Sequence, residues 1–248
     1  MKAMVFAAGL GTRLRPLTDD KPKALVEVGG VPMLQRVILN LKRYGFDEVV
    51  VNIHHFGQQI IDFLASNGNF GINVHVSDER GELLETGGGI LNAREWLDGN
   101  EPFLVHNADI LTDLDLSEFY NYHVSHKAEA TLLAAWRETS RYLLLDNDGR
   151  LNGWVNVNTG EVRPSGFRYD EKKFRKMAFG GIHVISPSVF MYLQDYTKEH
   201  KFSIMPFYLD NCRRIKIMGY VPCEEYAWFD IGRPETLSLA EKWVENHF

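Results

Sequence analysis

Residues 4–8 (MVFAA) and 48–53 (EVVVNI) are apolar almost without interruption, where a strand with one wet face would alternate. Unbroken apolar runs of this length, bounded by glycine and polar residues, predict strands buried on both faces, the arrangement of a parallel sheet covered by helices on either side. Parallel neighbours need a long crossover, and the intervening segments supply one. Pro32 stands where a first helical turn would begin, and Leu34, Val37, Ile38 and Leu41 follow at helical spacing up to Gly45. Residues 57–64 repeat the pattern with Ile60, Ile61 and Leu64 inward, 72–76 read as a third strand, 90–97 as a helix, and 102–106 and 128–136 as strands.

From about residue 141 the texture changes. Asn147-Asp148-Gly149 and Asn158-Thr159-Gly160 are hairpin-turn signals, which predict a small antiparallel insertion covering one end of the sheet. Helical patterns return at 188–196, 204–211 and 235–246, with strands near 215–220 and 226–230. The 248 residues, 45% apolar, suffice for one core. The expected architecture is α/β: a single domain over 1–248, a Rossmann-like three-layer fold with a mainly parallel central mixed sheet.

Charge narrows the partners. A net charge of -6, from 27 basic and 33 acidic residues without runs of one sign, offers no footprint for nucleic acid or an anionic membrane. No segment approaches the roughly 20 apolar residues of a membrane span, and the apolar run from Ala3 to Leu10 is too short for a secretory signal. Cys212 and Cys223 have no disulfide or zinc spacing and read as core residues of a cytoplasmic protein.

The loop after the first strand reads Gly9-Leu10-Gly11-Thr12-Arg13-Leu14-Arg15, with Lys21 and Lys23 soon after. Glycines let a backbone bring its N–H groups close to an anion, and the cations add charge, so the loop reads as a phosphate site at the carboxyl edge of the sheet. It lacks the Gly-Lys-Ser/Thr of a Walker loop and the third glycine of a dinucleotide fingerprint. A divalent cation beside such a loop would take carboxylates, which should lie at strand ends. Asp109 and Asp230 are the candidates, and each also fits a helix or turn cap.

The run Ala7-Ala8-Gly9-Leu10-Gly11-Thr12-Arg13-Leu14-Arg15-Pro16-Leu17-Thr18, then Lys21-Pro22-Lys23-Ala24-Leu25, resembles the signature of the sugar-1-phosphate nucleotidyltransferases, whose fold is similar to that of GT-A glycosyltransferases. Asn107-Ala108-Asp109 resembles the family's Asn-Gly-Asp, with Ala108 for glycine; Trp228-Phe229-Asp230-Ile231-Gly232 resembles its Trp-x-Asp-Ile-Gly; and Glu82 to Ile90 resembles its Leu-Gly-Thr-Ala-Gly-Ala. The resemblance implies that Ala8, Gly9, Leu10, Gly11, Thr12 and Arg13 wrap a nucleoside triphosphate, with Glu82, Thr86, Gly87, Gly88 and Asn107 at its base and ribose. It also implies that Arg13 and Lys23 neutralise the reacting phosphates and that Asp109 and Asp230 hold Mg2+.

Asn156, Asn158 and Gly181 are the expected sugar contacts, although residues 154–161 replace the Glu-Lys-Pro of many hexose-type relatives. The implied partners are a nucleoside triphosphate and a sugar 1-phosphate. The wording is most like the N-acetylmuramate 1-phosphate uridylyltransferase branch, with mannose 1-phosphate guanylyltransferases and phosphocholine cytidylyltransferases as alternatives. Asp113-Leu114-Asp115 is a literal Asp-x-Asp and keeps a metal-dependent glycosyltransferase open; its position near a helix start favours a cap. The histidines at 54, 55, 123 and 126 lack partners at metal spacing.

Overall fold

A computed structural model describes residues 1–247. In chain order the first half runs β1 (Lys2–Phe6), β2 (Glu27–Val28), β3 (Val31–Pro32), α1 (Met33–Arg43), β4 (Glu48–Ile53), α2 (Gly57–Ser66), β5 (Asn73–Asp78), α3 (Glu85–Asn92), α4 (Arg94–Leu97), β6 (Phe103–Asn107), β7 (Ile110–Thr112) and α5 (Leu116–His126). The second half runs β8 (Ala130–Ala135), β9 (Arg141–Leu145), β10 (Leu151–Asn156), β11 (Val162–Arg163), β12 (Arg175–Ile185), α6 (Val189–Leu193), α7 (Ile204–Asn211), β13 (Ile217–Tyr220), β14 (Trp228–Asp230) and α8 (Pro234–His247).

β1 pairs parallel with β4 on one side and β6 on the other, and β4 pairs parallel with β5. Successive side chains of β1 enter opposite cores: Ala3 and Val5 join a cluster containing Leu34, Ile38 and Val51, whereas Met4 joins Val50, Val105 and Phe207. Both faces of the strand are therefore dry, which is why its sequence does not alternate. Leu34, Val37, Ile38 and Leu41 are all buried, as the helical spacing of α1 requires.

The antiparallel region differs from the expectation. Rather than covering one end of the sheet, it prolongs it, giving the order β11-β10-β9-β12-β6-β1-β4-β5. β12 makes the join: Ile182 to Ile185 pair with β6, and Arg175 to Met177 pair with β9. Between these halves the register against β8 slips from Phe179 to His183, and Gly181 at φ 73° takes the left-handed backbone that such a bulge favours. Both hairpin turns fall where expected, between β9 and β10 and between β10 and β11.

The helix expected at 90–97 begins earlier, at Glu85, and breaks at Ala93. Its three glycines, poor helix formers, are held by packing. A methyl on Gly87 would collide with the Phe202 ring, and one on Gly88 with the His200 carbonyl oxygen. Cys212 is buried as expected, whereas Cys223 is exposed. Among the described residues no helix is long and apolar enough to cross a membrane.

The Asp-x-Asp pair has structural employment. Asp115 caps α5, accepting from the amides of Ser117 (2.8 Å) and Glu118 (2.9 Å), and Asp113 accepts from the Ala227 amide at 2.7 Å. Asp115→Ala is expected to cost about 1 kcal/mol in denaturant unfolding, the worth of a helix N-cap, and to leave turnover at its wild-type value. His123 is likewise absorbed into the interior, with Nδ1 at 2.8 Å from Thr131 Oγ1 and Nε2 at 2.9 Å from Ser186 Oγ.

Candidate active site

The carboxyl ends of β1, β4 and β6 open on one side of the sheet, and the chain after β1 turns back across them. Gly11, at φ 65°, makes that turn possible: its carbonyl accepts from Leu14 N (2.9 Å) and Thr18 Oγ1 (2.8 Å). A methyl there would come within 2.9 Å of Thr18 Cγ2 and 3.1 Å of Lys23 Cβ, so the fold brings the loop directly over Lys23.

The start of the loop is anchored from below. Asn52 Oδ1 accepts from the amides of Ala7 (2.7 Å) and Ala8 (3.3 Å), and its Nδ2 donates to Glu79 Oε1 at 2.8 Å. Glu79 Oε2 in turn accepts from the Leu84 amide at 3.1 Å. Burial raises the Glu79 pKa against the lowering effect of these hydrogen bonds. This chain of bonds ties the Gly9–Thr12 loop to the segment that enters α3, so both walls of the cleft share one polar support. Neither residue is among those the sequence singles out; the one available signal is a lone asparagine inside the apolar run EVVVNI.

The resulting cleft encloses about 500 Å³. Residues 8–13 line it continuously, and Lys23, Thr86, Asn107 and Asp109 line it as well, which brings together most of the expected nucleotide contacts. Glu82, Gly87 and Gly88 are not among the lining residues; Leu83 and Glu85 are. Gly87 and Gly88 face the other way, their amides donating to the Phe202 carbonyl at 2.8 and 3.1 Å.

At one end of the cleft the charged residues converge. Lys23 Nζ is ion-paired with Asp109 Oδ2. β14 pairs antiparallel with β7, setting Asp230 beside Ile110, and Ile231 N donates to the Asp109 carbonyl at 2.9 Å. A methyl built on Gly232 would come within 2.7 Å of Arg13 Nη2, 2.7 Å of Asp230 Oδ1 and 2.9 Å of Lys23 Nζ. Asp230 and two cations of the N-terminal region thus surround one glycine, which leaves its space open, and Asp109 joins the group through its ion pair with Lys23.

Asp230 Oδ1 accepts from the Gly232 amide at 2.8 Å, so its cap role and its place in the cluster coexist. Asp109 Oδ1 and Asp230 Oδ2 have no hydrogen-bond donor among the described residues. Asp109, in the turn before β7 and lining the cleft, and Asp230, at the end of β14, each keep an open oxygen, and such a pair fits a hard divalent cation that completes its shell with water and phosphate oxygens. No group of three or more His, Cys, Asp or Glu side chains gathers at metal-binding distance among the described residues, so the protein's share of such a shell would fall to these two aspartates.

A second cavity of about 330 Å³ opens from the cleft, sharing Phe6, Thr86, Asn107 and Ser203 with it. Its outer wall is Arg137, Thr139, Arg141 and Trp154 rather than the expected Asn156 and Asn158. Their absence from this lining has a plain cause. Asn156 ends β10 and its Oδ1 accepts from the Asn158 amide at 3.0 Å, so both asparagines build the hairpin turn while Trp154 faces the cavity. Gly181 abuts Asn107: a methyl on it would lie 3.0 Å from Asn107 Nδ2.

A mixed sheet whose parallel part, β6-β1-β4-β5, carries a glycine-rich cationic loop over its carboxyl edge, with two acids near that loop, is the layout of a phosphate-handling α/β enzyme. The chain belongs to the nucleotidyl transferase family, whose sequence model matches residues 2–247. It is 31% identical over 245 residues to the N-acetylmuramate alpha-1-phosphate uridylyltransferase of Caulobacter vibrioides, a match covering 96% of this chain and 95% of that protein. It is 32% identical over 245 residues to mannose-1-phosphate guanylyltransferase 1 of Arabidopsis thaliana, covering 94% of this chain but 62% of the plant protein.

A more local likeness, 47% identity to the Neisseria meningitidis N-acetylmuramate alpha-1-phosphate uridylyltransferase, covers 47% of this chain and 50% of that protein. Among solved structures, a UDP-glucose pyrophosphorylase complexed with UDP-glucose superposes with a TM-score of 0.78 at 18% identity, covering 100% of this chain and 99% of that one. The fold is therefore that of the pyrophosphorylases, and the chain is an enzyme of the sugar-1-phosphate nucleotidyltransferase class.

Proposed function

We propose that the enzyme joins a sugar 1-phosphate to a nucleoside triphosphate, releasing pyrophosphate, and that its substrates are N-acetylmuramate 1-phosphate and UTP, with Mg2+ held by Asp109 and Asp230. The observation that carries the reading is the convergence of Arg13, Lys23 and Asp230 around Gly232, with Asp109 ion-paired to Lys23 in the loop-lined cleft. Similarity to the Caulobacter uridylyltransferase, 31% identical across 96% of this chain, supports the N-acetylmuramate substrate, and the comparable 32% identity to the Arabidopsis guanylyltransferase makes mannose 1-phosphate with GTP the alternative pair.

In the proposed reaction a phosphate oxygen of the sugar 1-phosphate attacks the α-phosphorus of the nucleotide. The new P–O bond forms as the bond to the β-phosphate oxygen breaks, and pyrophosphate leaves with that electron pair. No side-chain nucleophile is needed, so rate comes from alignment and charge neutralisation. Backbone amides of the Gly9–Thr12 loop hold the triphosphate. Lys23 and Arg13 offset the charge of two phosphorylated anions brought together, and Thr86, Asn107 and their neighbours hold the nucleoside. When bound, Mg2+ would supply Lewis-acid stabilisation of charge on the phosphate oxygens. The enzyme acts on small molecules in the cytoplasm, without nucleic acid or membrane.

Two features speak against a glycosyltransferase: Asp115 is committed to capping α5, and Asp113 to the Ala227 amide. The test is a matrix of nucleoside triphosphates against sugar 1-phosphates with Mg2+, read by pyrophosphate release. The expected maximum is UTP with N-acetylmuramate 1-phosphate. Failure of every pair to release pyrophosphate, or sugar transfer from a ready-made nucleotide-sugar, would refute the proposal.

A further inference from the structure

The second cavity has an unusual charge balance. Two guanidinium groups, Arg137 and Arg141, line it, and no aspartate or glutamate does. Other arginines of this acidic protein pair with acids, as Arg80 does with Asp78, Arg94 with Asp98 and Arg163 with Glu161, or bond to backbone carbonyls, as Arg36 does to Val28 and Arg150 to Cys212. Arg137 is instead fixed by uncharged groups, with Nη2 donating to the Phe179 carbonyl at 2.9 Å and the guanidinium 3.9 Å above the Trp228 ring. The Arg141 side chain has no ion pair or hydrogen bond with any described residue.

We infer that this cavity selects a sugar phosphate carrying a carboxylate on the sugar itself, and that Arg141, with Arg137 beside it, is the specificity-determining cation. The inference rests on the nucleotidyltransferase reading. A guanidinium fork matches a carboxylate with two parallel charge-assisted hydrogen bonds, whereas a neutral hexose would leave the pair facing hydroxyls. Trp154 and Phe179 supply apolar surface in the same cavity for the face of a pyranose ring. The reacting phosphate has its own cations, Lys23 and Arg13, in the adjoining cleft, and neither Arg137 nor Arg141 lines that cleft. Arg137 also feels the charge of Asp230, which makes Arg141 the cleaner probe of the carboxylate.

The test compares N-acetylmuramate 1-phosphate with N-acetylglucosamine 1-phosphate, which lacks only the lactyl ether and its carboxylate. With UTP and Mg2+, the wild-type enzyme is expected to prefer the carboxylated substrate by about a hundredfold in kcat/KM, the worth of a hydrogen-bonded charge pair. In Arg141→Ala that ratio is expected to fall to about one to three, in Arg141→Lys to an intermediate value, and in Arg141→Glu below one, with unchanged melting curves.

Equal losses on both substrates in Arg141→Ala would show that the side chain serves the phosphate common to both, and would overturn the inference. So would a wild-type ratio near one while pyrophosphate is released, an outcome that leaves the nucleotidyltransferase reading standing. Absence of pyrophosphate from every sugar 1-phosphate overturns that reading, and the inference with it.

Discussion

Replacing Lys23 by alanine is expected to lower kcat/KM by about a thousandfold, the scale of removing one preorganised charge donor from a transition state. Lys23 is the cation the fold commits to the junction of cleft and acidic pair: its ammonium contacts Asp109 and lies beside the Gly232 gap with Arg13. The side chain reaches into the cleft rather than the core, so the melting temperature is expected to stay within a few degrees. Lys23→Arg is expected to recover little, because a planar fork does not reproduce a compact ammonium in a space bounded by Asp109 and the Gly232 backbone. Steady-state pyrophosphate release measures both variants. Activity of Lys23→Ala within tenfold of wild type would remove Lys23 from the chemistry.

The second large effect concerns the acids. Asp230→Asn keeps the shape and the acceptor for the Gly232 amide but removes a negative charge. Turnover at saturating Mg2+ is expected to fall by about a hundredfold or more, and the Mg2+ concentration for half-maximal rate to rise about tenfold, as for loss of one of two carboxylate ligands. Asp109→Asn is expected to behave similarly and also to release Lys23 from its ion pair. A magnesium titration of each variant provides the measurement. An unchanged half-saturation point in both would show that the acids only hold Lys23 and cap their turn.

Part of the site is legible in the amino-acid sequence, because one wall of it is a continuous stretch. Residues 8–13 form a backbone loop along the cleft, and their spacing after a dry strand announces where they must lie. Asp109 and Asp230 are legible as strand-end acids, but their meeting depends on the β7–β14 pairing, which two three-residue strands hardly signal. The sugar side is harder to read. Trp154 and Asn156, two apart, fall on the same face of β10, so alternation does not choose between them. The choice is made by the hairpin, which draws the Asn156 side chain into its own turn and leaves the cavity wall to Trp154.

The antiparallel region is recognisable from its turns, but its position depends on the bulge at Gly180 and Gly181 that lets β12 serve two sets of neighbours. The helical glycines mislead in a different way. Their weak propensity suggests a corner, while the Phe202 ring and the His200 carbonyl, far along the chain, require the absence of a side chain. The Asn52–Glu79 support is silent in the sequence because buried polar pairs have no spacing rule of their own.

The most direct test of the central claim is 31P NMR of a complete reaction using sugar 1-phosphate labelled with 18O in its non-bridging oxygens. If a phosphate oxygen of the sugar 1-phosphate attacks the α-phosphorus, a nucleotide-sugar diphosphate and free pyrophosphate appear in equal amounts, and one labelled oxygen bridges the two phosphorus atoms of the product. Label lost to solvent, or a nucleoside diphosphate formed without pyrophosphate, would contradict the account.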